Sequence, residues 1–212
     1  VFPDGRAVYI AERPGNYSES ADFLKRSQQT VIDDARFTLD FIEQVNQSDE
    51  VLSGIFDCSR IGMFGHSFGG AATISCCFLD ERVKAGFTLD GVVYDEFITD
   101  TIDTPFLLMC AEQRFNHSSY DYIWDQFSLD AYQVGVTGSA HYGYTDVGLL
   151  ISHLIPLIPS ETLGFGTIDP RYLIQVTRLY ENAFFDVYLK GAEKEVLTSL
   201  FDDFDEVSVR IK

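Results

Sequence analysis

Residues 65–69 (Gly-His-Ser-Phe-Gly) have the pattern of a nucleophile elbow, a sharp strand-to-helix turn that exposes a serine hydroxyl. An apolar run at 61–64 precedes the turn as a buried strand should, and the small residues 70–72 follow it, which favours a closely packed helix. The chemistry that this pattern indicates is nucleophilic attack by Ser67. The backbone N–H of Phe68, at the start of the helix, would stabilise an oxyanion. An ordinary glycine-rich turn is the weaker alternative.

Two glycines flank the serine, each two residues away in the chain. A strained backbone at Ser67 brings the strand and the helix close together in such a turn. We therefore expect that positions 65 and 69 tolerate little side chain.

Two later residues have types and positions suited to activating Ser67. Asp90 follows the predicted strand 85–89, and His141 lies in the loop after the predicted strand 132–136. Functional residues of a parallel sheet collect at the carboxyl ends of its strands. The sequence therefore predicts that His141 takes the serine proton while Asp90 orients the imidazole. Each residue alone could equally be a turn or loop residue, but the order serine, acid, histidine favours catalysis.

The other histidines and nearby acids are weaker candidates. His66 occupies the variable position of the elbow, His117 lies in a polar segment, and His153 is expected to pack in the core from an apolar helix. The alternative acids in the loop after Asp90 are Asp95, Asp100 and Asp103. The histidines do not form a metal-ligand pattern, and the sequence has no phosphate-binding loop.

Three apolar residues lie close behind Asp90, and these are Val92, Val93 and Tyr94. Side chains so close to the serine and its acid are expected to line a site for the acyl or leaving group of a substrate. Packing in the core is a nearly equal alternative for the two valines.

The hydrophobic pattern predicts strands and helices in alternation. Strands are expected at 7–11, 61–64, 85–89, 105–110 and, as the last one, 132–136. Helices are expected from Thr30 to Val45, at 69–79, at 120–127, and from Pro170, with Asp169 as its cap and Gly191 as its stop. The stripe predicted to be buried on this last helix comprises Leu173, Val176, Leu179, Tyr180, Phe184 and Val187. Residues 156–167 read as a long irregular stretch that could edge a binding site.

Composition limits the possible classes of protein. The 212 residues are 46% hydrophobic and carry a formal net charge of -18, which fits a single globular domain. So negative a chain is not expected to bind nucleic acid or an anionic membrane surface. The longest apolar run, 147–158, is broken by His153 and Pro156, so no transmembrane segment is predicted.

The glycosylation acceptor patterns and the cysteines bear on the cellular compartment of the protein. Three of the four asparagines lie in glycosylation acceptor patterns, and these are Asn16, Asn46 and Asn116. This favours a secreted glycoprotein, with chance as the alternative. Disulfides would suit that compartment, and buried free thiols are the other possibility for the four cysteines, which are Cys58, Cys76, Cys77 and Cys110.

The chain resembles the secreted platelet-activating-factor acetylhydrolase family and its bacterial and fungal relatives. The likeness is carried by residues 65–71, 88–91 and 141–146, and it extends through 2–6, 36–40 and 183–191. The resemblance implies an α/β-hydrolase fold, with a mostly parallel sheet and helices on both faces. It also implies a serine carboxylic-ester hydrolase that acts on short-acyl or other small esters without a metal or cofactor. The particular substrate does not carry over.

The implied reaction runs through an acyl-enzyme on Ser67 that water releases. A lipase or an amide hydrolase could use the same three residues. A non-catalytic binding protein with this fold is the alternative of another class, because the fold alone does not determine function.

The chain departs from a complete family member before the elbow. A complete member has several strands there, and one of their loops supplies the second oxyanion N–H. Here the only elements predicted before the strand of the elbow are a strand at 7–11 and one helix. We therefore expect residues 1–212 to be the C-terminal portion of a single α/β-hydrolase domain whose N-terminal strands are missing from this chain. A second chain, most simply from the same precursor, would supply those strands, and the start at Val1 fits a cleavage; a fragment of a longer chain is the alternative.

Overall fold

The structure is a computed structural model that describes residues 5–7, 17–91, 98–154 and 160–212. In these ranges the chain forms one sheet with the strand order β1-β2-β3-β4-β5. The strands are β1 Ile61–His66, β2 Val83–Leu89, β3 Phe106–Ala111, β4 Ala131–Val136 and β5 Val207–Ile211. Apart from Ala7, the strand predicted at 7–11 lies outside the described residues.

The sheet is mostly parallel, as predicted. Strands β1 to β4 run parallel to one another, and β5 pairs antiparallel with β4. The expectation that 132–136 is the last strand is wrong, because β5 follows it on the edge of the sheet. The five residues of β5 are half-buried or exposed, so the strand lacks the apolar run that marks a covered strand.

Helices cover both faces of the sheet. The described α-helices are α1 Tyr17–Ser48, α2 Phe68–Leu79, α3 Ser118–Gln126, α4 Val147–Leu154, α5 Pro170–Lys190 and α6 Glu195–Thr198. Short 3₁₀ turns lie at Glu112–Arg114, His141–Tyr144, Ser160–Leu163 and Ser199–Phe201. This layered arrangement is the α/β-hydrolase fold expected from the sequence.

Strand β3 illustrates how the sheet separates two cores. Leu107 and Met109 belong to the cluster that α5 covers, whereas Phe106, Leu108 and Cys110 belong to the cluster on the side of α1, α2 and α3. Side chains alternate between the faces of a strand. Because both faces are apolar, the strand reads as a continuous hydrophobic run.

Helix α1 begins thirteen residues earlier than predicted. Thr30 does not start a helix, because it lies inside α1 and its hydroxyl donates to the carbonyl oxygen of Arg26 at 2.9 Å. A hydroxyl that satisfies the preceding turn is typical of threonine within a helix and not of a helix cap. The cap-like residues around Thr30 therefore misled the prediction.

Helix α5 has the predicted ends. The Asp169 side chain accepts hydrogen bonds from the backbone N–H groups of Arg171 and Tyr172, and Gly191 adopts a left-handed conformation with φ of 73°. The predicted stripe is buried except for Leu179, which is 39% exposed. Asp169 and Gly191 satisfy the terminal backbone groups, which is why these residue types mark the ends of the helix.

One edge of the sheet is open in the described part of the chain. There, β1 pairs with β2 and has no strand on its other side. Phe64 of β1 is 57% exposed. An open edge of this kind is what the sequence led us to expect, and the source of a covering strand stays a prediction. None of the described helices combines the length and hydrophobicity needed to cross a bilayer.

Candidate active site

Ser67 lies at the sharp turn between β1 and α2. Its φ of 57° and ψ of -119° are strained for a residue other than glycine. The backbone N–H of Ser67 donates to the carbonyl oxygen of Leu89 at 2.9 Å, which ties the turn to the end of β2. The serine side chain does not cap α2, so its hydroxyl points to other partners. Phe68 is the first residue of α2.

The glycines of the turn differ in how much space surrounds them. A Cβ atom on Gly65 would lie 2.5 Å from the carbonyl carbon of Gly69, which backbone atoms cannot accommodate. The prediction for position 65 is therefore confirmed. A Cβ atom on Gly69 would meet no described atom within 4 Å. The prediction for position 69 is wrong, because this position of α2 faces open space.

Thr88 explains two further glycines. A Cβ atom would lie 2.0 Å from the Thr88 hydroxyl oxygen if placed on Gly70 and 2.3 Å from it if placed on Gly91. The threonine side chain is fully buried. It fills the space that the two glycines leave open, so α2 and the end of β2 can approach closely.

A continuous series of hydrogen bonds joins the three residues predicted to act together. The Nε2 atom of His141 lies 2.8 Å from the Ser67 hydroxyl, and its Nδ1 atom lies 2.5 Å from the Asp90 carboxylate. The Asp90 side chain is fully buried, whereas that of His141 is 28% exposed. The residues come from the ends of β1 and β2 and from the loop after β4, so the fold brings together positions distant in the chain.

Asp90 is held by several groups at the end of β2. Its backbone N–H donates to the carbonyl of Met109 at 2.7 Å, and its second carboxylate oxygen accepts the N–H of Ala111 at 2.9 Å. The Nε atom of Arg114 lies 3.4 Å from the oxygen that faces His141. Asp90 has a φ of 48°, an uncommon conformation for aspartate. This turn directs the carboxylate toward His141.

The loop that carries His141 is anchored from two sides. The N–H of Tyr142 donates to the carbonyl of Gly164, and the N–H groups of Thr167 and Ile168 donate to the carbonyl of Gly138. The hydroxyl of Tyr144 donates to the carbonyl of Cys110 at 2.8 Å. The described part of the segment predicted to be irregular, 160–167, therefore packs on the histidine loop.

His66 makes a contact that the sequence did not reveal. Its Nε2 atom lies 2.8 Å from the carbonyl oxygen of His141, and the two rings are 4.7 Å apart between centroids. Burial lowers the pKa of His66 below the usual 6.5. The neutral ring with a proton on Nε2 satisfies this contact by donating to the carbonyl. The only feature of the sequence that pointed to this contact was the position of a histidine directly before Ser67.

The rival candidates do not take the places of these residues where the structure describes them. Asp100 and Asp103 are exposed, and Asp103 accepts hydrogen bonds from the hydroxyls of Thr101 and Ser128. His117 is exposed. The remaining candidates and the predicted pocket residues lie outside the described residues, and these are Asp95, Val92, Val93, Tyr94 and the side chain of His153. No cluster of metal-binding side chains appears in the described ranges.

The four cysteines are free thiols. Cys76, Cys77 and Cys110 are buried, and burial raises the pKa of Cys76 to about 11 and that of Cys110 to about 12. Cys58 is half-buried. Of the two possibilities left open by the sequence, the structure contains buried free thiols and no disulfide between these residues.

The acceptor asparagines differ in their surroundings. The Asn46 side chain lies in α1 and exchanges two hydrogen bonds of 2.9 Å with the backbone of Phe56. Asn116 is exposed, and Asn16 lies outside the described residues. Asn46 is thus engaged in the structure of the 46–56 loop, and glycosylation at all three positions stays a prediction.

The sequence matches a known family over most of its length. Residues 38–203 fit the family described as platelet-activating factor acetylhydrolase, isoform II. The chain belongs to this family. The match includes the elbow, the strand that ends at Asp90, the loop of His141 and helix α5. The resemblance seen in the sequence is therefore confirmed.

Two individual relatives share about a quarter of their aligned residues with this chain. A probable 1-alkyl-2-acetylglycerophosphocholine esterase of Arthroderma benhamiae is 25% identical over 70% of this chain and 43% of its own length. A platelet-activating factor acetylhydrolase of Cavia porcellus is 27% identical over 76% of this chain and 38% of its own length. The chain thus spans less than half the length of these curated relatives.

A solved structure supports the fold independently. A ferulic acid esterase from Streptomyces cinnamoneus superimposes with a TM-score of 0.74 and 28% identity. The superposition covers 88% of this chain and 55% of the esterase. The likeness extends over nearly all of the present chain.

Proposed function

We propose that this chain carries the catalytic residues of a serine carboxylic-ester hydrolase. Ser67 is the nucleophile, His141 the general base and acid, and Asp90 the residue that orients His141. The observation that carries the proposal is the pair of contacts at His141, 2.8 Å to the Ser67 hydroxyl and 2.5 Å to the Asp90 carboxylate. Both distances fall within hydrogen-bond reach, which a general base needs.

In the proposed reaction, the Nε2 atom of His141 accepts the proton of Ser67 as its oxygen attacks the ester carbonyl. The resulting oxyanion receives a hydrogen bond from the N–H of Phe68 at the start of α2. His141 then returns the proton to the leaving alcohol, and an acyl group remains on Ser67. Water then attacks the carbonyl of the acyl group, with His141 again accepting a proton and returning it to the oxygen of Ser67. This step releases the carboxylic acid. Asp90 stabilises the imidazolium throughout without taking the proton.

We propose short-acyl and other small esters as substrates. The support is family membership and the similarity to two esterases, the probable 1-alkyl-2-acetylglycerophosphocholine esterase and the ferulic acid esterase. Val92, Val93 and Tyr94 are proposed to line the site for the acyl or leaving group. No metal or cofactor takes part in the proposed reaction.

The experiment is a panel of p-nitrophenyl esters of increasing acyl length, combined with labelling by an organophosphate. We expect hydrolysis to be fastest for short acyl groups and the label to attach to Ser67. Ser67→Ala should lose both, with a rate loss on the order of a million-fold. Ser75→Ala is the matched control, because its hydroxyl lies in the same helix and donates to the carbonyl of Ala71.

The same experiment distinguishes the alternatives. A preference for long acyl chains would indicate a lipase, and cleavage of anilides faster than esters would indicate an amide hydrolase. Failure of the organophosphate to label Ser67 would indicate a non-catalytic binding protein and would overturn the proposal.

We also propose that strands from a second polypeptide extend the sheet at the open edge of β1. One of the loops that connect those strands would supply the second oxyanion N–H. The support is the exposed Phe64 and the absence of a strand beside β1 in the described part of the chain. An unpaired edge of this kind invites association. Intact-mass analysis of the active native protein is the test, and a fully active, monodisperse species containing these 212 residues alone would contradict the idea.

Secretion and glycosylation belong to the proposal as well. Asn116 is the best-placed acceptor among the described residues, because it is exposed on a short loop. Expression through a eukaryotic secretory pathway should give a protein whose mass falls after treatment with a glycosidase. Asn116→Gln should reduce that change, whereas Asn182→Gln should not, since Asn182 lies in no acceptor pattern.

A further inference from the structure

Asp90 is contacted by a positive charge that the proposed reaction does not require. The Nε atom of Arg114 lies 3.4 Å from the carboxylate oxygen that also receives the Nδ1–H of His141. Arg114 is 31% exposed, whereas Asp90 is fully buried. A cation beside this oxygen attracts the carboxylate and restrains its position.

Tyr120 holds the turn that follows Asp90. Its hydroxyl donates to the carbonyl of Gly91 at 2.9 Å. Tyr120 is fully buried and lies in α3, whereas Arg114 lies in the preceding 3₁₀ turn. Asp90 and its neighbour Gly91 are therefore held by two side chains from one segment of the chain.

The turn at Asp90 needs such support. Its φ of 48° is strained for aspartate, and strained conformations persist only where surrounding contacts hold them. Loss of one contact would let the carboxylate rotate away from His141. Even a small misplacement of a catalytic group is costly, since about 1 Å can reduce a rate about a hundredfold.

We propose that Arg114 and Tyr120 form a clamp on the Asp90–Gly91 turn, in which Arg114 positions the carboxylate that faces His141 and Tyr120 holds the backbone of Gly91. The clamp rests on the proposed function of Asp90. Arg114 and Tyr120 are positioning residues that act through Asp90 and do not touch the substrate. The name Arg114–Tyr120 clamp is used for these two side chains below.

The first test is the steady-state kinetics of Arg114→Gln. Loss of the ion pair with Asp90 lets the carboxylate move away from the Nδ1 atom of His141, whereas the groups that bind the substrate are unchanged. We expect kcat to fall about tenfold to a hundredfold with KM changed less than about twofold.

Two variants examine the two contacts separately. Arg114→Lys keeps a positive charge near Asp90 and should restore part of the kcat that Arg114→Gln loses. Tyr120→Phe removes only the hydroxyl that holds Gly91, and we expect a severalfold loss of kcat. A kcat in Arg114→Lys no higher than that in Arg114→Gln would overturn the role of the ion pair with Asp90.

Matched controls come from the same fold. Arg36 also places its Nε atom 3.4 Å from a buried carboxylate, that of Asp80. Tyr122 also lies in α3 and donates to a backbone carbonyl, that of Ile98 at 3.1 Å. Arg36→Gln and Tyr122→Phe should leave kcat unchanged. Loss of thermal stability in Arg114→Gln without a change in kcat would overturn the clamp.

A spectroscopic measurement keeps the clamp distinct from the proposed function. The proton between His141 and Asp90 should give a low-field ¹H NMR signal that Asp90→Ala abolishes. In Arg114→Gln this signal should move, and in Arg36→Gln it should not. An unmoved signal would overturn the clamp, whereas a moved signal in a protein without esterase activity would overturn only the proposed function.

Discussion

The Nε2 atom of His66 lies 2.8 Å from the carbonyl oxygen of His141, so the residue beside the serine supports the backbone of the histidine that faces it. The contact joins residues 75 positions apart in the chain. It links the end of β1 to the loop after β4. The distance between Ser67 and His141 therefore depends on a group that takes no part in proton transfer itself.

His66→Leu should lower kcat about tenfold with little effect on KM. One hydrogen bond to the His141 loop is lost, and such a bond contributes about 1 kcal/mol. Kinetics with a p-nitrophenyl ester would measure the change. His117→Leu is the control, because His117 is exposed at the start of α3, and an equal loss in the two variants would contradict the role of His66.

Asp90→Asn should reduce kcat by about four orders of magnitude at neutral pH. An amide in place of the carboxylate favours the wrong tautomer of His141, which then cannot accept the serine proton. Asp103→Asn is the control, because the Asp103 carboxylate accepts hydrogen bonds from the hydroxyls of Thr101 and Ser128 instead. Near-normal activity in Asp90→Asn would transfer the role to another acid, such as Asp95.

The two glycines of the elbow should respond differently to alanine. Gly65→Ala should abolish activity and destabilise the fold, because the new methyl group would overlap the backbone of Gly69. Gly69→Ala should fold at least as stably as the parent, since alanine favours a helix and the position is open. Thermal unfolding and ester hydrolysis, measured on both variants, would check this. Equal damage from the two substitutions would contradict the difference in space.

Asp80 should make stability depend on acid pH. Two nitrogens of Arg82 donate to its carboxylate at 2.8 and 2.7 Å, and these bonds lower the pKa of Asp80 from 3.8 to about 2. Because the folded pKa lies below the unfolded one, the stabilisation is present above pH 4 and is lost as pH falls toward 2. Asp80→Asn should cost about 2 kcal/mol at neutral pH.

Denaturant unfolding at a series of pH values would measure this contribution. The difference between the parent and Asp80→Asn should shrink between pH 4 and pH 2. Asp186→Asn is the control, because the Asp186 carboxylate pairs with Lys190 on the exposed surface of α5. A constant difference across that pH range would show that the ion pair is not the cause.

Thiol reagents should distinguish Cys58 from the other cysteines. Cys58 is half-buried, whereas Cys76, Cys77 and Cys110 are buried with raised pKa values. We expect one thiol to react rapidly in the native protein and four to react after denaturation. Cys58→Ser should remove the rapid reaction. Fewer than four reactive thiols in denatured, unreduced protein would reveal a disulfide that the structure does not contain.

Local patterns predicted much of the fold. The alternation of apolar runs and helical stripes located β1 to β4, α2 and α3 to within a few residues. Asp169 and Gly191 marked the ends of α5, because capping depends on residues adjacent in the chain. The start of α1 and the strand β5 were missed. A threonine inside a helix resembles a cap, and a short edge strand carries little hydrophobic signal.

The sequence by itself determined the family, the approximate positions of β1 to β4 and the choice of Ser67, Asp90 and His141 as candidates. These depend on residue types at short spacing, where sterics and hydrophobic periodicity act locally. Only the tertiary structure decided that His66 supports the His141 loop and that Arg114 and Tyr120 hold the Asp90 turn. Such contacts join segments that are distant in the chain and depend on how strand ends and loops pack. Local periodicity carries no information about them.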